Sequence, residues 1–225
     1  SAPCIGHLDP YFLSMMSEVQ QLLRYLFQTQ NPLTIPVSGT GSAGMESCFV
    51  NLVEPGDEVV VCVNGVFGTR MTDIVNRLDG VLISVDGEWG RAIDPEAVMK
   101  AVKGRNPKVI AVVQAETSTG VCQPLTDIAD IANNAGALLL VDTVTSLGGM
   151  EVALDRMKID AAYSGTQKCL SCPPGLSPIS LSSSAMDVLE KRKTPVASWY
   201  LDMSMIQDYW GEERKYHHTA PINMI

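Results

Sequence analysis

The chain has 225 residues and a formal net charge of −9, from 16 Lys and Arg against 25 Asp and Glu. A hydrophobic fraction of 46%, a mean hydropathy of +0.12 and only 18% charged residues exclude a disordered or low-complexity chain, because enough apolar surface is available to offset the entropy of ordering. An acidic pI near 4.7, with no basic cluster denser than Lys191-Arg192-Lys193, argues against nucleic acid as a partner, and no apolar run approaches the roughly 20 residues of a membrane span.

The first residue is Ser1, and no basic stretch followed by an apolar one opens the chain, so no signal peptide is expected in these residues. Six cysteines (Cys4, Cys48, Cys62, Cys122, Cys169 and Cys172), several inside apolar runs, are expected as small buried hydrophobes rather than a disulfide framework. That usage suits a reducing cytoplasmic compartment, with a peroxisome or another organelle left open.

Apolar residues recur at helical spacing from Pro10 to Gln28, with Asp9 placed to cap the helix and Pro10 at its first position. Leu33–Val37 reads as an apolar strand, and Gly39-Thr40-Gly41-Ser42-Ala43-Gly44 then leads into a helical pattern from Met45. Strands at Val59–Val63, Val81–Val85, Val109–Gln114, Ala137–Asp142 and Ala161–Tyr163 alternate with helices near 69–78, 94–102 and 125–134. Continuous apolar strands separated by helices predict an α/β fold whose largely parallel sheet is covered on both faces. Beyond it, Ser177–Leu181 reads as a strand, Ala185–Lys193 as a helix and Trp199–Trp210 as an aromatic, Met-rich stretch.

The Gly39–Gly44 stretch fits G-x-G-x-x-G, whose backbone amides can bind phosphate at a helix N-terminus. A dinucleotide fits it poorly, because Pro36 interrupts the preceding strand and Asn64, not an acid, ends the next one. A plain glycine-rich turn stays open as the alternative. Asp142 closes a strand at the sheet edge where open α/β folds bind ligands, although a helix cap would use it equally well. Lys168 follows 26 residues later, just past the next strand. A phosphate cradle, a carboxylate and an amine at neighbouring sheet edges match what pyridoxal phosphate needs for its phosphate, its ring nitrogen and its aldehyde. Cys169-Leu170-Ser171-Cys172 and His217-His218 are too isolated to predict a metal site, so none is expected.

Six blocks occur in order: Thr40-Gly41-Ser42, Asn64-Gly65-Val66-Phe67-Gly68, Glu116-Thr117-Ser118-Thr119-Gly120, Val141-Asp142-Thr143-Val144, Ser164-Gly165-Thr166-Gln167-Lys168 and Tyr216-His217-His218-Thr219. Together they resemble the class V pyridoxal-phosphate-dependent aminotransferases, in particular the alanine–glyoxylate and serine–glyoxylate (serine–pyruvate) group. The resemblance implies fold type I, with a mainly parallel seven-stranded sheet, residues 1–225 forming the cofactor-binding large domain, and a homodimer. It also implies an earlier Gly/Pro-rich strand and a later C-terminal domain with a carboxylate-binding arginine, neither of which these residues include.

Carried over position by position, the resemblance makes Lys168 the Schiff-base lysine and Asp142 the partner of the pyridine nitrogen, with Val144 packed on the ring. Thr40, Gly41, Ser42 and Gln167 would hold the phosphate, and Thr117 would lie near the ring hydroxyl. Phe67 stands where relatives often have a stacking Trp. Tyr216 and Thr219 would reach the phosphate of the neighbouring subunit, and Gly6 and His7 would lie near its substrate. The implied reaction transfers an amino group from alanine or serine to glyoxylate. A related enzyme using a ureido amino acid, a cofactor-binding fragment without turnover and an NAD-dependent dehydrogenase are the alternatives.

Overall fold

The computed structural model describes residues 5–225. Cys4 lies outside them. Helix α1 (Pro10–Phe27) begins as expected, with the Asp9 carboxylate accepting the Tyr11 amide at 2.8 Å and Pro10 in the first turn. There follow β1 (Leu33–Ser38), α2 (Gly41–Leu52), β2 (Glu58–Val63), α3 (Val66–Arg77), β3 (Val81–Asp86), α4 (Pro95–Val102) and β4 (Val109–Val113). A two-stranded ribbon of β5 (Ala115–Glu116) and β6 (Val121–Cys122) precedes α5 (Thr126–Ala135), β7 (Leu138–Asp142), α6 (Leu154–Met157), β8 (Ala161–Tyr163), β9 (Leu176–Leu181), α7 (Ser183–Glu190) and α8 (Met203–Trp210).

The main sheet has seven strands in the order β1-β9-β8-β7-β4-β2-β3. Five of them, β8 to β3 along that order, run parallel, and β9 is antiparallel to both β1 and β8. Two reversals leave β1 pointing the same way as β8. The loops after β1, β2, β4, β7 and β8 therefore all leave the sheet at one edge. Pro36, which sits opposite Pro178, is accommodated because β1 is the outermost strand on that side.

Alternate residues of each central strand enter different cores. Val59, Val61, Val109, Ala111, Leu138 and Leu140 face one side with Phe12, Met16, Phe49 and Tyr209, whereas Val60, Cys62, Ile110, Val112, Leu139 and Val141 face the other with Val98, Ile128 and Leu154. Burial on both faces is the reason these strands read as unbroken apolar runs.

Several local expectations shift. Helix α2 starts at Gly41 instead of Met45, and its small first-turn residues let it lie close on the sheet: a Cβ on Gly44 would come within 3.0 Å of Tyr163 Cβ. Only the last eight of the twelve residues 199–210 are helical, from the cap at Asp202. The cysteines divide: Cys48 and Cys62 are buried, as expected, whereas Cys122, Cys169 and Cys172 are exposed because they sit on the ribbon and on the loop after β8. No helix among the described residues is long and apolar enough to cross a membrane.

Candidate active site

The common sheet edge collects most of the site residues read from the sequence. At the end of β7, Asp142 is 3% exposed; one carboxylate oxygen accepts the Val144 amide at 2.8 Å and the other accepts the Tyr163 hydroxyl at 2.7 Å. Tyr163 is its register partner on β8 and is fully buried. Burial pushes the Asp142 carboxyl up to about 6, with those two bonds pulling it down and the negative charge of Glu116 adding to the rise. Among the described residues no cation pairs with it.

The loop after β1 supplies an open helix end. Thr40 is the N-cap of α2 in extended conformation, yet its side chain makes no capping bond, and the amides of Ala43 and Gly44 turn back to the Thr40 carbonyl. The amides of Gly41 and Ser42 are left for an outside acceptor, as at any uncapped helix start, and no acid occupies the first turn. Two neighbouring loops close around this point. A Cβ on Gly41 would lie 3.0 Å from Val144 Cγ2, and one on Gly165 would lie 3.5 Å from the Gly41 nitrogen and 2.9 Å from Gln167 Oε1. Thr40, Gly41, Val144, Gly165 and Gln167 thus form a single small cradle with Ser42 beside it.

Phe67 sits in the first turn of α3, its ring under the Arg70 guanidinium at 4.7 Å. What fixes that turn is Glu116. Its buried carboxylate accepts the amides of Phe67 at 3.2 Å, Gly68 at 3.3 Å and Ser118 at 3.2 Å, plus the Ser118 hydroxyl at 2.6 Å. A negative group at a helix N-terminus is favourable, and a Cβ on Gly65 would overlap this side chain. Next to it, exposed Thr117 donates to Thr145 Oγ1 at 3.3 Å, linking the turn of the β5–β6 ribbon to the loop after β7.

Gln167 and Lys168 lie on the exposed turn after β8, and no hydrogen bond or ion pair engages Lys168 Nζ among the described residues. The turn is braced beneath by Thr166, whose hydroxyl reaches the Pro173 carbonyl at 2.7 Å, and by the Cys172 amide on the Thr166 carbonyl at 3.0 Å. Tyr216 and Thr219 approach each other at 3.5 Å between hydroxyl oxygens, with the His7 ring 5.1 Å from Tyr216. They lie on the tail, tied to β1 through His218 and Ser38 at 2.8 Å.

A family model described as aminotransferase class-V matches residues 5–224. The chain belongs to the class-V aminotransferases. It is 39% identical over 243 residues to the (S)-ureidoglycine–glyoxylate transaminase of Bacillus subtilis and 40% identical over 229 residues to the alanine–glyoxylate aminotransferase of Drosophila melanogaster, covering 100% of this chain and 58% of the relative in both cases. A solved alanine–glyoxylate aminotransferase from Nostoc sp. superposes with a TM-score of 0.97 at 50% identity, over 99% of this chain and 59% of that one. The chain therefore spans under three fifths of the length of these class-V relatives.

Family membership sets the dinucleotide alternative aside, and the site agrees: buried Asn64 uses its amide on the Arg91 carbonyl at 2.9 Å and offers no acid to a ribose. Two further residues that hold this sheet edge together were missed from sequence. Tyr163 reads as one more apolar strand residue until its register against Asp142 is known. Glu116 carries a weak signal, a lone acid entering a hydroxyl-rich turn.

Proposed function

We propose that this chain forms the pyridoxal-phosphate-binding part of a transaminase that moves the amino group of alanine or serine to glyoxylate. The observation that carries this reading is Asp142: a buried carboxylate without a cation, at the sheet edge shared by an open helix N-terminus and by Lys168. Such a group calls for a cationic ring opposite it, and the uncapped start of α2 calls for an anion, so the residues present fit a pyridinium that carries a phosphate.

When bound, the cofactor supplies a protonated ring that draws electron density from the substrate Cα. Asp142 keeps the proton on the ring nitrogen, and Tyr163 and the Val144 amide keep Asp142 in place. Thr40, Gly41, Ser42 and Gln167 hold the phosphate, Val144 and Phe67 confine the ring, and Thr117 serves its hydroxyl. Lys168 Nζ would hold the cofactor through its aldehyde group, and as a free amine it would serve as the base for the proton on the substrate Cα. In a homodimer, Tyr216 and Thr219 serve the phosphate of the neighbouring site. Unpaired, exposed Cys122, Cys169 and Cys172 suit a cytoplasmic setting.

The 39% identity to a ureidoglycine–glyoxylate transaminase supports a second reading, in which a ureido amino acid is the donor. The full-length protein loaded with pyridoxal phosphate and glyoxylate separates the two. Formation of pyruvate or hydroxypyruvate from alanine or serine, at a kcat/KM at least tenfold above that for ureidoglycine consumption, is expected. The reverse order installs the second reading, and no glycine from any donor overturns both.

A further inference from the structure

The tail holds a chain of hydrogen bonds that the proposed reaction does not use. His217 Nε2 lies 3.2 Å from the Trp199 carbonyl, His217 Nδ1 lies 2.7 Å from His218 Nδ1, and His218 Nε2 lies 2.8 Å from Ser38 Oγ. A carbonyl only accepts, so His217 Nε2 carries a proton. Two protonated Nδ1 atoms cannot face each other at 2.7 Å, so one of the pair must be bare. With His217 neutral, its bare Nδ1 accepts from His218 Nδ1–H, which leaves His218 Nε2 to accept from the Ser38 hydroxyl. One polarity satisfies every link without a charge.

The surroundings favour that neutral form. His217 is 6% exposed and stacked under Trp199 at 4.4 Å and 20°, and His218 lies between the rings of Tyr200 at 4.8 Å and Tyr209 at 6.3 Å. Among the described residues, those two tyrosines and the paired imidazole are the titratable groups facing His218, and no carboxylate pairs with it. Burial lowers His218 below its ordinary value of 6.5, and the neighbouring His217 lowers it further.

The chain ends where the cradle starts. Ser38 is the last residue of β1, its carbonyl accepts the Tyr200 hydroxyl at 3.5 Å, and the next residue, Gly39, has φ +140° and donates its amide to the Gly175 carbonyl at 2.8 Å. Gly41 and Ser42, with their open amides, follow at once. We infer that His217, His218 and Ser38 form a neutral relay of fixed tautomers that positions the anion-binding loop 39–42 by clamping the end of β1 to the tail. His218 and Ser38 are positioning residues here, acting on a bound phosphate through the loop; the inference rests on the cofactor reading above only for the identity of that phosphate.

Two measurements on the full-length protein test it. Ring-nitrogen NMR of the cofactor-free protein at pH 7 is expected to show His217 as the Nε2–H tautomer and His218 as the Nδ1–H tautomer; the opposite pair, or a charged ring, overturns the relay. Ser38→Ala, which keeps both rings, is expected to weaken pyridoxal phosphate about fivefold, the scale of one hydrogen bond, while leaving unphosphorylated pyridoxal unchanged. Equal effects on the two probes, or none, overturn the positioning role. Should the wild-type protein bind neither probe, the cofactor reading fails by itself, and exchange of the Gly39 amide then decides: faster exchange in Ser38→Ala sustains the clamp and unchanged exchange removes it.

Discussion

The two residues at the centre of the site sit in opposite surroundings. Asp142 ends a strand buried on both sides, with both oxygens held, whereas Lys168 stands on an exposed turn, its Nζ without a hydrogen bond or ion pair among the described residues, and the turn is braced by the Thr166 hydroxyl and the backbone beneath it. The contrast suits the work proposed for each residue. A group that fixes the charge of a cofactor ring gains from rigidity and low dielectric, while an amine that must leave one bond and then carry a proton needs room to swing. Rigidity comes from the sheet, and freedom comes from a loop after the sheet.

The hardest blow to this contrast falls on the mobile partner. Lys168→Ala is expected to lower turnover on the order of 10⁴-fold, the upper range for loss of a positioned acid–base group, and borohydride reduction of the wild-type protein should leave the pyridoxyl label on Lys168. A label on Lys158 or Lys191 would assign the free-amine role elsewhere.

Asp142→Asn addresses the rigid partner. An amide cannot keep the ring nitrogen protonated, so a loss of about 10²-fold or more in kcat is expected with pyridoxal phosphate affinity changed far less, because the phosphate contacts survive. The cofactor-free protein gives an independent readout. With a carboxyl raised from 3.8 to about 6, the native state binds a proton between those pH values that the unfolded state has released. Stability therefore rises as pH falls from about 6 toward 4 and is lost as pH climbs through 6, by roughly 3 kcal/mol in all. Denaturant titrations should find Asp142→Asn more stable than wild type at pH 7, with the gap closing by pH 4; a constant gap would show that Asp142 is not buried in its charged form.

The smallest effect sharpens the comparison most. Tyr163→Phe removes one hydrogen bond to the carboxylate while keeping the ring that packs under α2, so it loosens Asp142 without deleting it. Asp142 should then protonate more easily, and the acid limb of the kcat profile should move to higher pH by about one to two units, the equivalent of roughly 1.5–3 kcal/mol for a bond to a charged group. An unmoved acid limb would mean that the backbone amide of Val144 suffices.

Much of the fold is legible in the sequence. Unbroken apolar strands such as Val59–Val63 and Leu138–Val141, alternating with amphipathic helices, fix an α/β class with a doubly covered sheet, because that burial leaves no other pattern. The six ordered blocks point to the family, and Asp142 and Lys168 gain weight only in combination with the glycine-rich stretch 39–44, each lying beside a strand end. Short elements escaped: α6 spans four residues and the ribbon β5–β6 two on each side, too few for any period to show.

What the chain determines alone is the local periodicity and the chemical identity of the groups at each strand end. Tertiary structure decides which ends meet. The double reversal through β9 brings β1, and with it Thr40, Gly41 and Ser42, to the edge that Asp142 and Lys168 share, and strand register alone turns Tyr163 from a core residue into the holder of Asp142. Neither can be read along the sequence, because both depend on hydrogen bonds between residues far apart in the chain, such as Tyr163 with Ile179 and Asp142 with Tyr163, whose partners are chosen by the packing of the whole sheet.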